Sequence, residues 1–137
     1  MTNPEDGFPA RPADVELRVP ADSAYVSVLR TTSAGLAARL DFTLDDIEDL
    51  RMAVGEASAL VFPAADQGAD ATCEFFMATG ELTVMVSVPA ARPTPLDEDS
   101  FAWQVLTTLA DRASVEIGEK RFGIRLSMHS ALQQTTA

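Results

Sequence analysis

The stretch from residue 43 to residue 62, TLDDIEDLRMAVGEASALVF, reads as a long amphipathic helix and constrains the fold more than any other part of the chain. Thr43 is a favourable N-cap residue, and Asp46 three positions later places a carboxylate where a capping box has one. Phe42 and Ile47 occupy the two positions of a hydrophobic staple, which would fix how the chain enters the helix. The apolar residues that recur at helical spacing are Leu44, Ile47, Leu50, Val54, Ala57 and Val61. We expect this stripe to bury against a sheet or another helix.

The hydrophobic pattern on either side of this helix predicts two more helices and five strands. The strands are predicted over residues 15–19, 71–78, 81–88, 113–117 and 122–128, and the helices over about 22–40 and about 100–112. The order β-α-α-β-β-α-β-β predicts an α+β fold of two layers, a mixed β-sheet with helices packed on one face. The predicted division is a flexible N-terminal tail over 1–13, one domain over 14–130 and a C-terminal tail over 131–137.

Composition and charge restrict the partners and the compartment. The 137 residues suit one domain, and the net charge of −11, from 21 acidic and 10 basic residues, argues against nucleic acid or an anionic membrane as the main partner. It leaves room for a basic protein partner. The N-terminus lacks the basic and apolar regions of a signal peptide, and no apolar run approaches the ~20 residues of a membrane span. We therefore expect a cytoplasmic protein.

The single cysteine and the single histidine offer little for catalysis or metal binding. Cys73 cannot form an internal disulfide, and one cysteine cannot build a cysteine-based zinc cluster. Because it stands in a predicted strand, Cys73 is interpreted as a buried and inert thiol. A catalytic pair of Cys73 with His129 is arithmetically possible but is disfavoured on the same ground.

Two segments give the chain a specific resemblance. The string DDIEDLRMAVGEA, residues 45–57, resembles the helix that carries the ATP-binding N-box in the RsbW- and SpoIIAB-like anti-sigma factors and serine kinases of the GHKL superfamily. The segment SFAWQVLTTLADRASVEI, followed after a turn by FGIRLSM, resembles the end of the domain in the actinobacterial, UsfX-like members. The resemblance spans about residues 14–129 and implies a Bergerat-type sandwich, the GHKL fold.

The N-box that this resemblance would supply is only half present. Family kinases carry a glutamate as general base and, four residues later, an asparagine that ligates Mg²⁺. Glu56 matches the glutamate, but Leu60 stands at the asparagine position, and a leucine side chain cannot coordinate a hard cation. Glu56 is therefore interpreted as a vestigial general base.

Three further nucleotide-binding elements are missing as well. The glycine-rich box after the second hairpin strand is replaced by a segment with Val88 and Ala90, without its adenine-reading aspartate. The glycines that would let backbone N–H groups approach phosphate at the third helix are replaced at Ser100 and Ala102. A late glycine-threonine element is absent at residues 121–122. We expect no bound ATP, no metal and no kinase activity; the alternative is an active serine/threonine kinase with divergent ATP motifs.

Without catalysis, the resemblance implies stoichiometric sequestration. Family members, typically dimers, hold an alternative sigma factor away from RNA polymerase, and a STAS-type anti-anti-sigma protein competes for an overlapping surface. We therefore expect an anti-sigma factor that forms a homodimer and binds neither nucleic acid nor membrane directly. A nucleotide-independent adaptor unrelated to transcription is the other alternative.

The resemblance also suggests which residues bind the partners. The segment VLRTTSAGLAARL aligns with the family helix whose arginine contacts both sigma factor and antagonist, which places Arg30 at that position. Arg30 lies off the apolar stripe of its helix, so we expect it at the surface. Asp45 and Glu48 serve mainly as helix-capping and solubility charges but could steer a basic sigma-factor segment. Trp103 is open to an interface role or a core role, and Phe101 is expected in the core.

Overall fold

Strands and helices follow one another in the predicted order. The computed structural model describes residues 11–93 and 96–134, so most of the predicted N-terminal tail and the end of the predicted C-terminal tail lie outside the described residues. The strands and helices are β1 (Val15–Pro20), α1 (Val26–Arg39), α2 (Leu44–Val61), β2 (Asp70–Ala78), β3 (Glu81–Pro89), α3 (Phe101–Leu109), β4 (Arg112–Gly118), β5 (Arg121–His129) and α4 (Ala131–Gln134). None of the helices in the two described ranges has both the length and the apolar character that crossing a membrane requires.

The five strands form one open sheet in the order β1-β2-β3-β5-β4, and every neighbouring pair runs antiparallel. At its centre Val84 of β3 lies opposite Phe75 of β2 and Leu126 of β5. The α+β fold with helices packed on the sheet is confirmed, whereas the predicted mixture of parallel and antiparallel pairs is wrong. The connection through α3 makes β3 and β4 run in the same direction, but β5 lies between them, so these two strands do not pair.

Helix α2 lies at the centre of the helix layer, in contact with α1 and α3 and over β3 and β5. Its capping box is present as predicted: Thr43 Oγ1 accepts a hydrogen bond from the Asp46 N–H at 3.2 Å, and Asp46 Oδ2 accepts one from the Thr43 N–H at 3.4 Å. The apolar core residues that α2 contributes are Leu50, Ala53, Val54, Ala57 and Val61. Burial of this face supplies most of the stability of such a helix, since intrinsic helix propensity supplies little.

The ends of α1 and α2 differ from the sequence expectation. The first predicted helix begins as a 3₁₀ turn over Ser23–Tyr25, capped by the Asp22 side chain, and becomes α-helical at Val26. Leu44, placed by periodicity in the buried stripe of α2, is instead 76% exposed. Leu44 is the first residue of the helix and stands six residues before Leu50, which at 3.6 residues per turn directs it away from the sheet.

Helix α3 is shorter than predicted and buries a different face. It ends at residue 109 rather than 112, because β4 begins at residue 112. Phe101, expected in the core, is 80% exposed, whereas Trp103 is 8% exposed and packs into the core. The buried face is set by Trp103, Leu106 and Ala110, whose spacing is that of an amphipathic helix, and Phe101 falls outside it.

Candidate functional site

The residues at the N-box positions share one flank of α2. Glu56 is half-buried, and Leu60, one turn later, is partly buried against the main core. The Leu60 side chain therefore puts hydrocarbon at the position where the resemblance puts a Mg²⁺-binding amide. Within the described residues, no group of three or more histidine, cysteine, aspartate or glutamate side chains is arranged to hold a metal ion.

The end of β3, where the glycine-rich box would stand, is packed and tied to two loops. Val88 and Ala90 are each only 1% exposed and belong to the core. The Ala90 N–H donates to a backbone carbonyl in the turn between β4 and β5 at 3.0 Å, and the Ala91 N–H donates to Asp66 Oδ1 at 2.9 Å. These two N–H groups are therefore already occupied by the protein itself. Sequence reasoning missed Asp66, because its partner lies 25 residues further along the chain.

The start of α3, where phosphate-binding glycines would stand, is capped by a side chain and preceded by acidic residues. Ser100 is the N-cap, and its Oγ accepts a hydrogen bond from the Trp103 N–H at 3.3 Å. Ala102 is half-buried in the first turn. Residues 97–99 are aspartate, glutamate and aspartate, all exposed. Their negative charge occupies the helix N-terminus that a phosphate group would need, so it disfavours a nucleotide there.

Three open cavities are found in the described residues, and one of them, the second below, is lined in part by Val88 and Pro89 at the end of β3. The largest, about 630 Å³, runs along β4 and β5 beside Arg112 and Arg125. The second, about 470 Å³, lies beside Arg121, and the third, about 320 Å³, lies between the end of β1 and the loop before β2. None of the three is lined by Glu56, Leu60 or the first residues of α3.

The Arg30 side chain lies between α1 and α2 rather than free on the surface. A Cβ atom built on Gly55 of α2 would lie 3.6 Å from Arg30 Cδ and 4.0 Å from Arg30 Nε. The residue is half-buried, and its Nε is buried without a hydrogen-bond partner in the described residues. The exposure expected from periodicity is therefore only partly correct, because the missing side chain at Gly55 lets the arginine stem fold onto the neighbouring helix.

The other proposed partner-binding residues divide between surface and core. Asp45 and Glu48 are exposed on α2 and share a face with Met52, which is 52% exposed. This face places an apolar side chain one turn beyond two carboxylates, a chemistry that suits a basic amphipathic partner segment. Trp103 lies in the core, so its burial favours the core role that the sequence left open. The exposed aromatic residue of α3 is Phe101, which the sequence interpretation had assigned to the core.

Cys73 and His129 have separate surroundings. Cys73 is a free, buried thiol, as predicted, and burial raises its pKa far above the ordinary range, with a smaller contribution from the Glu74 carboxylate. The His129 ring lies between two other carboxylates, with Nε2 3.1 Å from Glu81 Oε2 and Nδ1 3.1 Å from Asp111 Oδ2. Neither residue is arranged as half of a catalytic pair.

Comparison with known proteins gives a partial but specific match. No protein-family model matches the chain. The serine-protein kinase RsbW of Halalkalibacterium halodurans is 38% identical over 78 residues, which is 56% of this chain and 48% of that protein. This chain is similar to RsbW over part of its length.

Two further relatives carry the same description. RsbW of Bacillus cereus is 35% identical over 75 residues, covering 53% of this chain and 47% of that protein. RsbW of Bacillus velezensis is 49% identical over 43 residues, which is 31% of this chain and 27% of that protein. The chain thus spans about half the length, or less, of the curated relatives it matches. The resemblance to RsbW-type proteins is supported at this level, while the actinobacterial branch and the degeneracy of the ATP motifs stay predictions.

Proposed function

We propose that this chain is an anti-sigma factor of the RsbW type that sequesters an alternative sigma factor and is antagonised by a STAS-type anti-anti-sigma protein. It acts without phosphoryl transfer and without bound ATP or Mg²⁺. The observation that carries the proposal is the burial of Val88 and Ala90 in the core, together with an arginine, Arg30, at the position where the resemblance puts the partner-binding arginine. The partial similarity to RsbW supports the family.

The packing around α2 supports the absence of kinase activity. Phosphoryl transfer depends on positioning and on metal-assisted stabilisation of charge, with little covalent chemistry for the protein to perform. Leu60 offers no oxygen to Mg²⁺, and Val88 and Ala90 are buried where a nucleotide-binding backbone would have to be open. Glu56 alone cannot carry phosphoryl transfer, because a general base is of no use without a bound and positioned phosphoryl donor.

The outer surfaces of α1 and α2 supply the partner site of this proposal. Arg30 offers a guanidinium for an acidic group, and Asp45 and Glu48 offer carboxylates beside the exposed Met52. The net charge of −11 favours encounter with a basic segment of a sigma factor. A cytoplasmic homodimer, as the resemblance implies, is part of the same proposal.

The tests below also distinguish two other functions, an active kinase and an adaptor unrelated to transcription. An active serine/threonine kinase is favoured by the half-buried Glu56 at the expected general-base position and by the partial similarity to the serine-protein kinase RsbW. Phosphorylation of a STAS protein by the purified chain would establish it. An adaptor unrelated to transcription would bind neither a sigma factor nor a STAS protein.

The direct test is calorimetric titration of the purified chain with each alternative sigma factor of its own cell. We expect one tight complex, weakened at least about 10-fold by Arg30→Ala, since truncating one partner of an interfacial charge pair typically costs that much or more. Arg39→Ala is the matched control, because Arg39 is an exposed arginine in the last turn of the same helix. Addition of the STAS protein should release the sigma factor without ATP. Absence of any sigma complex would overturn the proposal.

A further inference from the structure

Gly55 lies beside the Arg30 side chain, and the helix itself does not require a glycine there. A glycine inside a helix is destabilising relative to alanine, because its backbone loses more freedom on folding. Gly55 lies within α2, and its φ is not in the positive range that would demand a glycine. A residue this small leaves room beside α2 for a neighbouring side chain, and the Arg30 stem lies there, within van der Waals range of a Cβ built on Gly55.

The bonding of the Arg30 guanidinium is incomplete in the free chain. Its Nε–H is buried and has no acceptor in the described residues. Buried donors are almost always paired, so the unpaired Nε–H of Arg30 is a candidate for a bond made in a complex. A carboxylate is the acceptor best matched to a guanidinium, because it accepts two N–H bonds at once.

We propose that Gly55 is a positioning residue that seats the Arg30 side chain in the groove between α1 and α2 and so presents its guanidinium to an acidic side chain of the sigma factor. This inference rests on the proposed function. The aliphatic stem lies over the bare Gly55 backbone, which limits the directions that the long side chain can take. Rotation about the terminal bonds of the Arg30 side chain then turns the Nε–H of its guanidinium towards the carboxylate of the sigma factor.

The distances predict which substitutions at Gly55 are tolerated. An alanine methyl group would meet Arg30 Cδ at 3.6 Å, an ordinary van der Waals contact, so Gly55→Ala should keep the arginine in place. A leucine would occupy the volume of the stem and displace it. Leucine is a better helix former than glycine, so Gly55→Leu should still fold. The opposite case is Gly123, where a Cβ would lie 2.7 Å from the Val86 carbonyl oxygen.

The first experiment needs no partner and measures the exchange of arginine Nε–H protons with water by NMR. The signal of Arg30 is assigned by its loss in Arg30→Lys. We expect this proton to exchange at least about 10-fold more slowly than those of the exposed Arg18 and Arg39 in the wild type and in Gly55→Ala, because burial slows exchange. In Gly55→Leu it should exchange as fast as the exposed ones. Fast exchange in the wild type, or slow exchange in Gly55→Leu, would overturn the seating of Arg30.

The second experiment is a double-mutant cycle on the affinity for the sigma factor that the wild-type chain binds. Gly55→Leu should weaken the complex at least about 10-fold, as Arg30→Ala does, and should have no further effect in the Arg30→Ala background. Gly55→Ala should bind like the wild type, and thermal unfolding of each variant serves as the folding control. An equal loss in both backgrounds would show a merely structural role for Gly55.

The two experiments separate this inference from the proposed function. Slow exchange at Arg30 with no sigma complex would retain the seating of the arginine and refute both the sigma-factor function and the partner role assigned to the pair. A sigma complex that is sensitive to Arg30→Ala but not to Gly55→Leu would retain the function and refute the positioning role.

Discussion

At the scale of single residues, Asp46 connects two distant parts of the chain. Its Oδ2 closes the capping box of α2 and also accepts a hydrogen bond from the Ala131 N–H at 2.9 Å. Next to it, Ser130 is fully buried and donates through Oγ to the Asp41 carbonyl at 3.0 Å. The end of β5 and the start of α4 are thereby held against the start of α2.

The first prediction concerns this double role of Asp46. Asp46→Ala should lower the free energy of unfolding by about 1–2 kcal/mol, because it removes one side of the capping box and leaves the Ala131 N–H without its acceptor. Urea unfolding followed by circular dichroism measures the change. Asp45→Ala is the control at an exposed neighbour in the same turn and should cost less than about 0.5 kcal/mol. Equal losses in the two variants would show that the contact with Ala131 contributes nothing.

The second residue-scale prediction concerns the reactivity of Cys73. The reacting form of cysteine is the thiolate, and burial raises the pKa of Cys73 above its ordinary value, so the folded chain keeps the neutral thiol. A thiol reagent at pH 8 should leave the native protein unmodified and label it fully in urea. Rapid labelling of the native chain would instead indicate that β2 opens easily or that Cys73 is accessible.

At the scale of elements, α3 shows that the position of a short helix can be predicted correctly while its buried face is predicted wrongly. The acidic run and Ser100 correctly mark its start, and the structure uses Ser100 as the N-cap. The choice of face failed although the sequence carries a signal for it. Gln104, Thr107 and Thr108 recur at helical spacing as an exposed polar stripe, and Phe101 falls on the same stripe. Packing against α2, more than against the sheet, decides the phase by burying Trp103 and Leu106.

This difference in phase gives the third prediction. Trp103→Ala should lower the free energy of unfolding by about 3–5 kcal/mol, whereas Phe101→Ala should change it by less than about 0.5 kcal/mol. Trp103 is the single tryptophan, so its fluorescence in the wild-type protein reports directly on the packing of α3. Circular dichroism in urea gives the unfolding curves of both variants. If Phe101→Ala lowered the free energy of unfolding more than Trp103→Ala did, Phe101 rather than Trp103 would be the core residue of α3.

At the scale of the whole molecule, the sequence predicts the order of the elements but leaves their pairing open. Alternation and capping residues are local signals, so the strands and α2 could be placed from them. The position of β5 between β3 and β4 depends on contacts between distant residues, and the sequence has no local signal for it. The contact of Arg30 with Gly55 is missed for the same reason, because periodicity describes one helix at a time.

The candidate site is described partly by local sequence signals and partly by contacts between residues that are distant along the chain. The mismatch at Leu60 and at the glycine positions is read directly from the sequence. That Val88 and Ala90 are buried, and that Asp66 occupies the Ala91 N–H, is apparent only once the loops are folded together. The structure thus adds a physical reason for the proposed loss of nucleotide binding, since Val88 and Ala90 are buried at two of the expected nucleotide positions.

The decisive measurement is the titration of the chain with the alternative sigma factors of its own cell, in the absence and in the presence of Mg·ATP. We expect a tight complex with one of them, of the same affinity in both titrations, and no heat from Mg·ATP alone, because Val88 and Ala90 are packed in the core at two of the expected nucleotide positions. A complex that forms only with Mg·ATP, or clear binding of the nucleotide itself, would contradict the account and restore the kinase reading.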